Sequence, residues 1–543
     1  MTTPTRPFDA GSVIDQILTG HLNSASTPTA RPGLSTSESA FVDAVSDWCA
    51  RQDLAADIEA NGQVPDKVLA ELVELGALRI IIPQRYGGLG FSDTCLLSVL
   101  SVLTTAHASL CEIVAAHQVI GAVRPLTEFG TEHQRTRYLP ELLKQPSAFA
   151  LNEPDLGYGA GPLQTTARLD TDAGGYRVTG TKTWITNATI ASHAIVLADL
   201  TPTPRSSGGV TALLIKADDP GVTRGPQSAF AGLRGLPNGR LHLQEALIPA
   251  DRVIGGEGNG IEVALSCLGQ CRAALPVACL TTTIACLRQA EAWAHEDRQT
   301  RRGLHTHPQI QRHLAGLLTD GLIANAVTWF ALDPHCASID SEAAKLVLSE
   351  TASHATDTVL QLVGGRGYET AASARERGST STPIERLWRD TRVTRIFDSS
   401  TEMLKDLIAQ PLSGTGAAQT TQHPSATASV AALSDLAVRI HRGLTAAPDD
   451  AWVRATAVDS ALDLFTLVCL HRYQQHLGED REPTTAGWEV AATDLHERVE
   501  RSLDALSDPA AFSRRQALAT EITSTTALSS PFTRTLTGLG VRP

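Results

Sequence analysis

The chain predicts an α+β fold in which helical domains flank a middle β domain, and three observations carry that reading. Apolar residues recur at spacings of three and four over 37–147, give way to short strand-like runs between Gly, Pro and Asp clusters over 148–258, and return to helical spacing over 259–410. With 543 residues, 42% of them hydrophobic, the chain has material for several packed domains.

Residues 1–36, rich in Ser, Thr and Pro, read as a flexible leader without chemistry. The N-terminal helical domain follows over 37–147, with "VLAELVELGALRIII" and "LLSVLSVLTTAHASLCEIVAAH" as its clearest amphipathic stretches. In the middle domain, 148–258, "YRVTGTKTWIT", "HAIVLADL" and "VTALLIKA" read as antiparallel strands joined by tight turns. Long helices resume at "GIEVALSCLGQCRAAL" and run to about 410, interrupted at "RRGLHTHP", "DPH" and "GGRGY". Residues 411–428 are a linker by composition, and 429–543 form an appended helical domain.

A formal charge of −13 with no basic run excludes a nucleic-acid-binding surface. The absence of an apolar window of about 18 residues argues against a membrane span. Nine scattered cysteines, with no CxxC pair and no His at zinc spacing, predict buried thiols in a reducing, cytoplasmic compartment and no metal site.

Six landmarks then appear in order: "LGALRIIIPQRYGGLGFS", "FGTEHQRTRYLPELL", "FALNEPDLGYGAG", "GTKTWITNA", "QLVGGRGYE" and "IERLWRDTRVTRIFDSSTEM". Over residues 40–410 they resemble the acyl-CoA dehydrogenases. The resemblance implies an acyl-CoA dehydrogenase-like fold: an N-terminal helical domain, a middle β-barrel or sandwich, and a C-terminal four-helix bundle, with FAD between them. It implies α-proton abstraction from an acyl thioester with transfer of the β-hydrogen as hydride to the flavin. The acyl group is expected on CoA or an acyl carrier protein, and the site's substitutions favour a specialised pathway slightly over free acyl-CoA from β-oxidation. The electron acceptor is an electron-transfer flavoprotein or oxygen.

By the same resemblance, Phe149, Leu151 and Asn152 lie along the flavin, and Trp184, Ile185 and Thr186 present an indole and a polar edge to it. Arg298 approximates the pyrophosphate-binding arginine. Gln361, Gly364, Gly365 and Gly367 match a loop that reaches a neighbouring subunit's FAD, which implies a homodimer or homotetramer. Tyr158 stands where the family has a Ser near the thioester, so replacing it should shift substrate preference. Arg272 aligns with a helix residue at the CoA entry, and Cys271 occupies the helix position where some branches carry their glutamate base.

That leaves Asp398 as the base, one methylene shorter than the usual glutamate and followed by Ser399 and Ser400 in place of Gly-Thr. Glu402 reads as a contact at the start of the next helix. A polar insertion, 369–382, reads as a surface loop with a possible docking role. The alternatives are a flavin monooxygenase of the same fold, or a redox-neutral or non-catalytic member of the family.

Overall fold

In a computed structural model of the chain, the described residues are 6–22, 33–50, 53–154, 162–296, 303–413, 428–447, 450–477 and 485–506. They divide into two compact units: Pro28–Leu404 with Arg472–Ala491, and Met1–Thr27 with Lys405–His471 and Ala492–Pro543.

The larger unit begins with helices whose ends are written in the sequence. The Ser92 hydroxyl caps the helix Asp93–Ala106 by accepting from the Cys95 amide, and Glu38 accepts from the Ser92 amide at 2.7 Å. That helix buries Leu96, Val99, Leu100 and Leu103 against Val45, Ile58, Leu72 and Leu110. The next helix, Ala108–Ala115, runs into a π-turn at Ala116–Ile120. Within the turn His117 is fully buried, its Nε2 3.1 Å from the Leu78 carbonyl and its Nδ1 accepting from the Ser147 amide at 2.9 Å.

The middle domain is one hydrogen-bonded sheet of eight strands. Its order is Val222–Arg224, Gly239–Pro249, Gly175–Ile185, Thr166–Asp170, His193–Leu200, Gly209–Lys216 and Val253–Ile254, with Ser147–Ala150 also paired to His193–Leu200. The expectation of antiparallel strands throughout needs correction. Ser147–Ala150 and Thr166–Asp170 both run parallel to His193–Leu200, because alternation along one strand carries no information about its neighbour's direction. His193–Leu200 is buried on both faces: Val196 and Ala198 enter one core, Ile195 and Leu197 another that includes Leu126, Tyr138 and Val263. Its sequence is therefore a continuous apolar run.

The helices Gly260–His295, Pro308–Ala331 and Ser338–Val363 pack on one another, and Ile384–Arg392 packs on the last of them. Pro308–Ala331 is long and apolar enough to cross a membrane, but 61% of that stretch is buried inside the protein, as expected of a core helix. Among the described residues eight cysteines are free, six of them buried.

The smaller unit contains much of what the sequence presented as a leader. Arg6–Pro7 pairs in parallel with Leu412–Ser413, and the helix Val13–Leu18, all six residues buried, packs on Ala428–Ala446. The Arg6 guanidinium meets the buried Asp15 carboxylate at 2.5 Å. Residues 6–22 are thus folded, and their partner lies four hundred positions away, beyond the reach of any local pattern. The division near 429 also differs from the sequence reading. Tyr473 and Trp488, from the stretch read as an appended domain, belong to the larger unit, where the Trp329 and Tyr473 rings lie tilted with their centroids 5.3 Å apart.

Candidate functional site

The strand Gly175–Ile185 slips in register against Gly239–Pro249 between Lys182 and Ile185. In that irregularity Trp184 takes a φ of 55° and turns its indole outward, 56% exposed. A β-bulge that re-aims a large aromatic is a common device beside binding sites. Ile185 is buried and Thr186 half-buried, 3.5 Å from the Asn238 amide nitrogen. The following Asn187 is buried with a φ of 66°, its Nδ2 donating to the Ile113 and Ser147 carbonyls at 3.0 Å each.

Phe149 and Leu151 are half-buried and Asn152 exposed at the end of Ser147–Ala150. The Thr183 amide donates to the Asn152 carbonyl at 3.0 Å, so the two stretches singled out in the sequence are brought together. What joins them was missed. Lys182 and Glu153 form a fully buried ion pair at 2.7 Å, Lys182 also donates to the Leu151 carbonyl at 3.0 Å, and Glu153 accepts from the Gln164 and Thr165 amides at 2.6 and 2.9 Å. Burial raises the Glu153 pKa, but Lys182, Thr165 and the amides outweigh it and hold the group below its ordinary value. The signal was present as the charged residues inside "NEP" and "GTKTWIT".

Asp398 and Ser399 are consecutive left-handed residues, with φ of 48° and 73°. For non-glycine residues that conformation costs roughly 1–2 kcal/mol each. The turn is pinned from below by Lys345, a buried residue of Ser338–Val363 whose Nζ donates to the Ser399 carbonyl at 2.6 Å. Burial pulls the Lys345 pKa down, while Asp398 and the neighbouring acids pull it up. The next helix, Thr401–Ile408, starts with the Ser400 hydroxyl accepting from the Met403 amide at 3.3 Å. Glu402 sits in that helix's first turn, as expected.

Beside this loop lies a narrow cavity of about 30 Å³, lined by Phe397, Thr282, Leu387, Asp390 and Glu112. Glu112, on Ala108–Ala115, is half-buried. Burial first, then the negative charge of Asp398, pushes its pKa up to about 8. No reading of the sequence had picked out Glu112, since a single acid on an amphipathic helix is ordinarily a solvated one. Asp390 accepts from the Leu233 amide at 2.6 Å and thereby fixes the loop before Gly239–Pro249. That loop lies so close to Ile384–Arg392 that a Cβ on Gly232 would meet the Arg389 carbonyl oxygen at 2.2 Å.

Gln361, Gly364 and Gly365 are exposed at the end of Ser338–Val363. Gly364, with φ 69° and ψ −142°, occupies a region that a side chain excludes. Gly367 is buried against Val363, and Arg366 reaches the Glu296 carboxylate at 2.8 and 2.9 Å. Tyr158 and Arg298 lie outside the described residues. Cys271 and Arg272 fall on Gly260–His295 at positions where the side chains are also outside them. The 369–382 insertion carries a short helix, Ala371–Glu376, and Arg375 forms an ion pair with Asp53.

Three family models match in succession: the acyl-CoA dehydrogenase N-terminal domain over 35–146, the middle domain over 148–246 and the C-terminal domain over 258–413. The chain belongs to the acyl-CoA dehydrogenase family. A probable acyl-CoA dehydrogenase of Mycobacterium tuberculosis, FadE10, is 36% identical over 361 residues, 65% of this chain and 55% of that protein. The chain therefore spans about half the length of the first curated relatives it matches. An acyl-CoA dehydrogenase of Bacillus subtilis is 29% identical over 67% of this chain and 95% of its own.

Among solved structures, an acyl-CoA dehydrogenase complexed with FAD from Bacillus anthracis shares the fold, with a TM-score of 0.74 at 20% identity over 94% of this chain and 96% of that one. The butyryl-CoA dehydrogenase of Megasphaera elsdenii gives 0.61 at 25% identity over 70% and 98%. The order of acyl-CoA dehydrogenase domains read from the six landmarks thus holds.

Proposed function

We propose that the protein is a FAD-dependent oxidoreductase that desaturates an acyl thioester between its α and β carbons, with Asp398 as the base. The observation that carries this reading is the Asp398–Ser399 turn: a carboxylate on a strained backbone, tied down by a buried lysine beside a cavity. Strain maintained by a dedicated contact is characteristic of functional loops.

The residues fit FAD. Trp184 offers an exposed flat face, and the buried Asn238 next to Thr186 has an Oδ1 that accepts no hydrogen bond, leaving a polar atom for the flavin's edge. Phe149, Leu151, Asn152, Ile185 and Thr186 would complete that wall. Gln361, Gly364, Gly365 and Gly367, with Arg298, would hold the dinucleotide end in a neighbouring subunit, which makes the working form a homodimer or homotetramer. Bound there, FAD supplies the acceptor for the β-hydrogen. Asp398 accepts the α-proton, and Lys345 keeps the turn that carries it in place. The acyl group arrives on CoA or an acyl carrier protein, the electrons leave to an electron-transfer flavoprotein or oxygen, and the compartment is the cytoplasm.

Purified protein should be an oligomer with non-covalent FAD that bleaches anaerobically with at least one member of a thioester panel. Bound flavin that no thioester reduces would overturn the dehydrogenase reading and favour a monooxygenase or a non-catalytic protein. Lys345→Met, which fills the same space without the hydrogen bond, should retain FAD and lower the bleaching rate by about 100-fold, the cost of a displacement of about 1 Å. Stopped-flow absorbance checks it: a wild-type rate would remove Lys345 from the mechanism.

A further inference from the structure

The cavity beside Asp398 is lined mainly by apolar residues and threonines, and two acids, Glu112 and Asp390, stand among them. Glu112 is half-buried there, and among the described residues no hydrogen bond or ion pair engages its carboxyl. Asp390 lines the same cavity and is 5% exposed. One of its oxygens accepts from the Leu233 amide, while Oδ2 accepts no hydrogen bond and has Arg386 at 3.7 Å. Thr104 and Thr394 spend their hydroxyls on the Leu100 and Thr391 carbonyls, both at 2.8 Å. The carboxyl oxygens of Glu112 and Asp390 are therefore spare acceptors on this wall, beside the hydroxyls of Thr282 and Thr391, which also line it. Buried polar groups without partners are costly, and in binding sites they mark where a ligand atom completes the bond.

Two physical points narrow the ligand. A cavity of about 30 Å³ leaves room for a small group and not for a long alkyl chain. Glu112 shares the cavity with Asp390 and also feels the negative charge of Asp398, and acids facing one space are relieved by a hydrogen-bond donor or a cation between them. An alkyl tail would instead leave both carboxyl groups unsatisfied.

We propose that Glu112 is the specificity-determining residue of the site and selects a short acyl group bearing a hydrogen-bond donor, a hydroxyl or an ammonium, which Glu112 binds with Asp390 as its neighbour. A site built to bond a polar substituent rejects the analogue lacking it far more strongly than an apolar pocket rejects an extra hydroxyl.

The inference rests on the dehydrogenase reading for its reaction, so its test has an arm without turnover. The probes are pantetheine derivatives, whose arm is shared by CoA and carrier proteins. Thioesters of butyrate, 4-hydroxybutyrate and 4-aminobutyrate serve for anaerobic bleaching, and the matching non-oxidisable thioethers serve for calorimetric binding to the FAD-loaded protein. Wild type should favour one donor-bearing probe over butyryl by about 10- to 100-fold, the worth of a hydrogen bond to a charged or buried acid.

Glu112→Leu should remove or reverse that preference in both arms. Glu112→Gln should keep a hydroxyl preference and lose an ammonium preference, which tells the two ligands apart. Thioether discrimination that depends on Glu112, without bleaching by any thioester, would uphold the recognition and sink the dehydrogenation. Bleaching or binding with equal preference in wild type and Glu112→Leu would overturn the proposal and leave the dehydrogenation intact.

Discussion

Asp398→Asn should leave a yellow, FAD-loaded protein whose bleaching by thioester falls by about two to four orders of magnitude, the usual contribution of a positioned base. The exchange keeps the volume, and Lys345 holds the turn through the Ser399 carbonyl, so the backbone should stay in place. Asp398→Glu is the sharper experiment. A turn built around the shorter acid places the extra methylene beyond the reacting carbon, and the rate should fall by about tenfold or more. Single-turnover absorbance on both variants decides the matter: a Glu variant faster than wild type would mean the turn still fits the family's longer acid, and an unchanged Asn variant would take Asp398 out of the chemistry.

The largest stability effect is expected at Lys182. Lys182→Met strands the Glu153 carboxylate in the interior with two amide donors and no cation, and removing one partner of a buried pair costs about 3–5 kcal/mol. Against a total of roughly 5–15 kcal/mol for a folded domain, that is a large share. Adding Glu153→Gln should recover part of the loss, because the amides keep an acceptor and the unpaired charge is gone. Thermal and urea unfolding of the single and double variants test this, and a Lys182→Met protein as stable as wild type would show the pair to be dispensable. The pH dependence follows the same logic. Since Glu153 is held below its ordinary pKa, its contribution is present above about pH 4.3, the unfolded value, and is lost as the pH falls through the folded one.

Much of the architecture was legible because it is encoded locally. Helical spacing marked both helical domains, and the landmarks carried the order of the three family domains. The parts that escaped depend on partners distant in the chain. Val13–Leu18 is too short to announce a helix and packs on Ala428–Ala446. The Glu153–Lys182 pair joins two recognised motifs through side chains that read as surface charges in a linear scan. Glu112 and Lys345 meet Asp398 only after three separate helical and loop segments converge. The left-handed backbone at Ser399 was hidden for a different reason, since serine gives no cue for a conformation that glycine would have advertised.

Lys345 grips the main chain at Ser399, one residue beyond the carboxylate at 398. That hydrogen bond uses a backbone oxygen, which every residue type at 398 or 399 would leave in place. Natural variation at position 398 can exchange one acid for another, or an acid for an amide, and keep that main-chain hydrogen bond. A lineage with this arrangement can try out proton acceptors of different length and strength, or abandon proton abstraction altogether, in single substitutions that each yield a folded protein.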